Sequence, residues 1–241
     1  MNSAGAGLWI AALILPLGAQ EPTATGVNFY SVDREVQIGR ETAAGLEGTL
    51  RMVRAHELDA YLARLGADLA AHADRQFRYR FLLYDDRRPI AVPTVVLAMP
   101  ANAFRGQARE PVAIGGGPIF VPLSLLTGAS DEPAFALQLA HAMVHIALRH
   151  PSRQATREQL AILGHAPLTT EARPGSIEAI MVAASENPAL QLSLAALTRQ
   201  FEVEANTQAA AMVAAAGYSA AEPSAATGQF AEIKALAAAL P

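Results

Sequence analysis

The chain has 241 residues, 52% of them hydrophobic and 17% charged, which suits one globular domain with a sizeable core, and a second full domain is not expected. Its formal charge of -4, with 18 Lys and Arg dispersed among acidic residues, lacks the basic stripe of a nucleic-acid-binding surface, so no nucleic-acid partner is expected. The absence of cysteine excludes disulfides, a thiolate nucleophile, lipid attachment to Cys and thiolate metal ligands; any metal must be held by His, Asp, Glu or water.

Residues 1–20 carry an apolar run from about Leu8 to Ala19, shorter than the roughly 20 residues of a bilayer span, and read as a cleaved export signal. Gly18 and Ala19 suit a signal peptidase, but no Lys or Arg precedes Arg34, which keeps a short uncleaved anchor as the alternative. Export without disulfides is compatible with a bacterial periplasm, and membrane contact would come only through this segment. Residues 21–27, with Pro22 and Gly26, read as a tether, and 28–241 as the domain.

The spacing predicts a helix over Asp33 to Leu46 with Ser31 or Asp33 as N-cap, and a second over Glu57 to Ala71 whose apolar face is Leu58, Tyr61, Leu62, Leu65 and Leu69. Tyr79 to Tyr84, Pro93 to Ala98 and Ile119 to Val121 read as short strands, the last an edge strand entered from the glycine turn Gly115-Gly116-Gly117-Pro118. That turn lacks the Lys-Ser/Thr of a phosphate-binding loop. Asp131 is an N-cap for a helix running to about Arg149, ended by Pro151; a long Ala/Leu-rich helix follows Asn187-Pro188 and closes at Gly217, and a last one follows Pro223. Helices, a small sheet, then helices give the α+β class.

Within the helix after Asp131, His141 and His145 are four residues apart and project from one face, the geometry of the first two nitrogen donors to a tetrahedral zinc. In the pattern His-Glu-x-x-His the glutamate takes a proton from the metal's water; Ala142 occupies that place and cannot titrate. A histidine pair alone reads more readily as a chance spacing or part of a buried core than as a metal site. The downstream run Phe201-Glu202-Val203-Glu204-Ala205-Asn206 offers the third ligand, since a carboxylate from a separate helix completes two-histidine sites that hydrolyse peptides. Glu202 and Asn206 share a face and Glu204 points nearly opposite, which makes Glu202 the better candidate. His150 reads as a helix C-terminal cap, His56, His72 and His165 as surface or helix-end residues, and Met143 and Val144 as packing. Ser124 has no nucleophile-elbow context.

Ala136 to His150 and Glu202 to Asn206, together with Asn28 to Gly39, Asn102-Ala103-Phe104 and Gly117 to Val121, resemble the gluzincins of peptidase family M48, the HtpX-like and CAAX-prenyl-protease-like enzymes, over about Asn28 to Tyr218. The resemblance implies a mainly helical zincin-like metallopeptidase domain with a small mixed sheet and an edge strand, and one zinc held by His141, His145 and Glu202. It implies that Asn206, where the family has aspartate, supports a ligand histidine from outside the metal shell. It also implies that Gly117, Ile119, Phe120 and Val121 belong to an edge strand that receives an extended peptide. Val144 stands where the family commonly has glycine, and no histidine follows His165 to serve the developing oxyanion. With Ala142, three catalytic supports are absent or weakened, and loss of a positioned general base typically costs about 10²–10⁴-fold. The expected function is a periplasmic zinc metalloendopeptidase of impaired activity that engages extended or misfolded polypeptide. The alternatives are an active endopeptidase using another base, with Glu132, Glu158 and Glu204 nearest in sequence, and a metal-free helical binding scaffold.

Overall fold

A computed structural model describes residues 28–73, 76–87, 110–165, 188–218 and 226–240. The expected signal, tether, strand over 93–98 and segment 102–104 lie outside them. Helix α1 spans Val32–Thr49, and Ser31 is its N-cap, accepting the Arg34 N–H. Asp33 falls in the first turn instead, where its charge offsets the positive end of the helix dipole. Helix α2, His56–Ala70, buries the apolar face that its periodicity defines.

Strands β1 (Arg80–Tyr84), β2 (Val112–Ala113) and β3 (Pro118–Pro122) form a mixed sheet in the order β1-β3-β2, parallel between β1 and β3 and antiparallel between β3 and β2. The edge-strand expectation for Gly117, Ile119, Phe120 and Val121 is therefore corrected. Gly117 is in the entry turn, and β3 is the central strand, paired on both sides. All five of its residues are buried, the pattern of a strand covered on both faces. Leu82 and Phe120 pack with Ala43 and Leu46 of α1, while Leu83, Ile119 and Val121 enter the larger core on the other face.

The glycine run allows close backbone approach. Gly116 and Gly117 have φ of 88° and 127°, and a Cβ on Gly116 would sit 2.4 Å from the Glu35 carbonyl oxygen. From the other side, a Cβ on Gly39 of α1 would lie 1.9 Å from the Gly115 carbonyl oxygen. Gly39→Ala, which in an open helix would gain about 1 kcal/mol, is thus expected to destabilise by about 1–3 kcal/mol through overpacking. Urea unfolding decides the sign, and a stabilised variant would refute the close approach.

Helix α3 (Leu123–Gly128) follows β3 directly, and α4 spans Glu132–Ala147. The α4 N-cap is Asp131, accepting the Ala134 N–H at 2.8 Å. Pro151 does not simply end this helix. Helix α4 stops at Ala147, Arg149 takes a left-handed φ of 58°, and Pro151 lies in the first turn of a new helix, α5, His150–His165. Helix α6 spans Pro188–Ala215 and closes in a Schellman motif, with Gly217 at φ 82°, Tyr218 N–H donating to Val213 O and Gly217 N–H to Ala214 O. Helix α7, Ala226–Ala238, lays Phe230 against Tyr61 and Phe135.

The architecture is α+β and mainly helical. Helix α4 packs most extensively on α6. Ala136 and Ala140 of α4 and Ala205 and Ala209 of α6 are fully buried in the shared core, and these small side chains permit close approach of the two axes. No helix among the described residues is long and apolar enough to cross a membrane.

Candidate metal centre

The close approach of α6 to α4 sets Glu202 beside the two histidines. His141 Nε2 and His145 Nε2 are 3.0 Å apart; Glu202 Oε2 lies 3.2 Å from the first, and Oε1 lies 3.6 Å from the second. Ligands at zinc bond lengths on a tetrahedron are separated by about 3.3 Å. The three observed separations bracket that edge, and His141, His145 and Glu202 form a group able to hold a metal ion.

The protons on the two rings can be placed from their outer partners. Asn206 Oδ1 lies 3.1 Å from His141 Nδ1 and can only accept, so Nδ1 carries a hydrogen and Nε2 is the nitrogen that faces Glu202 and His145. His145 Nδ1 faces His150 Nδ1 at 3.1 Å, and His150 Nε2 faces Glu204 Oε2 at 3.2 Å. Burial, reinforced by neighbouring charge, pushes both His145 and His150 down to about 3, so both are neutral at pH 7. The Glu204 carboxylate accepts from His150 Nε2–H; His150 Nδ1 then accepts from His145 Nδ1–H, and His145 Nε2 keeps a lone pair. Two imidazole nitrogens and a carboxylate thus converge, a donor set that fits zinc.

Asn206 contacts a ligand-type histidine as expected, through its amide oxygen. Ala142, Met143 and Val144 are buried in the core, Ala142 at 2% exposure. His56 opens α2, His72 lies in the turn after it, and His165 ends α5. The expectation for His150 is corrected. The left-handed turn at Arg149 carries it back beneath His145, where it is 2% exposed and stacked on Phe201 at 4.1 Å, rather than capping α4 in solvent. Glu204, on the face turned from Glu202, is its partner. The signal available for this turn was Pro151, because proline marks the first turn of a helix as well as the end of one.

The acidic residues considered as replacement bases are engaged elsewhere. Glu132, whose carboxyl burial raises above its usual range, accepts from Tyr61 OH at 3.0 Å. Glu158 accepts from Gln154, and Glu204 from His150 and Gln200. Ser124 Oγ is bonded to Asp86.

No curated protein matches the chain. A family model for peptidase family M48 matches residues 54–230, well over half of the sequence and inclusive of all three donors. The fold, the two-histidine helix and the carboxylate on a second helix agree with that match: the chain belongs to peptidase family M48, a family of zinc metallopeptidases.

Proposed function

We propose that this protein is an exported, zinc-binding member of the family whose peptidase activity is strongly reduced, and that it engages extended or misfolded polypeptide with little or no cleavage. The observation that carries this reading is the convergence of His141, His145 and Glu202 beside a position, Ala142, that has no titratable group. Zinc bound there would supply polarisation of a water and of a peptide carbonyl. His141, His145 and Glu202 would hold the ion, and Asn206 would orient His141. No residue of the described site is placed to take a proton from the attacking water or deliver it to the leaving amine. Loss of such a group typically costs about 10²–10⁴-fold. Strand addition of a polypeptide would fall to β2, an edge strand of the sheet among the described residues, which packs against α4. The export assignment rests on residues 1–20, and a chain without cysteine is compatible with a periplasm.

The test is metal analysis beside proteolysis. Purified protein, stripped and re-equilibrated with zinc, is expected to retain one ion per chain, and Glu202→Ala to lose it. An unfolded, labelled protein is expected to survive incubation with the zinc-loaded chain. Chelator-sensitive cleavage at ordinary rates would overturn the reduced activity, and absence of stoichiometric zinc would overturn the metal centre.

A further inference from the structure

Two hydrogen-bonded paths lead outward from the histidines, and they differ in depth. From His141 the path is one step, to Asn206. From His145 it runs through His150 to Glu204, which is held in turn by Gln200 Nε2 at 2.8 Å and Arg153 Nη1 at 3.7 Å. His150 cannot swing freely: its ring lies flat on Phe201, with an interplanar angle of 11°, and the Arg153 guanidinium lies over that same Phe201 ring at 4.7 Å.

We propose that His150 and Glu204 are positioning residues for the metal centre, a His-Glu pair that fixes the tautomer and aim of His145 from behind. The proposal rests on the metal-centre reading above. Glu204 accepts from one nitrogen of His150 and thereby makes the other an acceptor; that acceptor draws the His145 hydrogen to Nδ1 and leaves Nε2 turned toward Glu202 and His141. Outer partners of this kind orient a ligand ring and raise its basicity. Here an imidazole stands between the ligand and the carboxylate. The residues from Phe201 to Asn206 then divide the work among them. Glu202 is the ligand, Phe201 and Glu204 hold His150, Ala205 permits close packing, and Asn206 holds His141. The alternation is geometric, because Glu202 and Glu204 lie on different faces of α6 and so reach opposite sides of the histidine cluster.

The experiment uses the full chain with zinc as the probe. Glu204→Leu and His150→Phe are expected to weaken zinc binding about 10–100-fold at unchanged stoichiometry. His150→Gln, whose amide oxygen can accept from His145 Nδ1–H, is expected to recover most of the loss. In metal-free protein, long-range ¹H–¹⁵N spectra are expected to place the His145 hydrogen on Nδ1 in the parent and to show a tautomer mixture in Glu204→Leu. Glu204 is a quarter exposed, so its replacement leaves a folded chain even where His150→Phe does not. Unchanged zinc affinity and unchanged tautomer in Glu204→Leu would overturn the pair. If the parent itself bound no zinc, the metal reading would fall, while the metal-free tautomer would still decide whether Glu204 sets His145.

Discussion

Ala142→Glu is expected to raise zinc-dependent cleavage of an unfolded protein by about 10²–10⁴-fold over the parent, the range a positioned acid/base contributes. The position adjoins His141 on α4 and is the place of the glutamate in the pattern His-Glu-x-x-His. The remaining departures are milder on structural grounds. Asn206 already makes the contact expected of the aspartate, with Oδ1 at 3.1 Å from His141 Nδ1, and lacks only its charge. Val144 is 1% exposed and packs in the core. The cost of the change is burial: Ala142 is 2% exposed, and a carboxylate taken out of water without a partner is destabilising. The metal-free variant should therefore melt lower than the parent, and zinc should recover part of the difference. Cleavage assays with and without chelator, beside zinc content, test both halves. A variant that holds one zinc and still does not cut would place the loss of activity in Asn206, Val144 or another departure rather than in the base.

How much of this was legible in the sequence differs by element for physical reasons. Helices α1, α2 and α6 announce themselves through local chemistry: Ser31 as cap, an apolar stripe from Leu58 to Leu69, and Gly217 at a left-handed residue. His141, His145 and Glu202 were equally readable, because helical spacing places ligands on a face without knowledge of the fold. The central position of β3 was not, since strand order depends on pairing with β1, which lies more than thirty residues earlier. Helix α5 and the role of His150 were hidden by Arg149. A left-handed φ is uncommon for a residue with a Cβ, and Pro151, the one local signal, fits the end of a helix as well as the start of the next. The Arg149 side chain is held by a tertiary contact, the buried carboxylate of Glu35, 114 residues away.

That contact carries the largest expected loss of stability. Glu35 is 3% exposed and accepts from Arg149 Nε at 2.7 Å and Ser152 Oγ at 2.6 Å, while its second oxygen has no hydrogen-bond partner among the described residues. Arg149 also donates to the Tyr30 carbonyl, which ties the entry to α1 to the turn between α4 and α5. Removing one member of a buried ion pair costs about 3–5 kcal/mol. Because the Arg149 side chain is a quarter exposed, Arg149→Ala should fall near the lower end, about 3 kcal/mol. Arg149→Gly loses the same contacts but relieves the left-handed backbone, worth about 1–2 kcal/mol, and should be the more stable of the two. Adding Glu35→Gln to Arg149→Ala removes the uncompensated charge and should restore part of the loss, a coupling that a double-mutant cycle in urea measures directly. Independent, additive effects would show that the ion pair does not hold the turn. If it does hold it, the same Arg149→Ala substitution also loosens zinc binding, because the turn is what delivers His150 to His145.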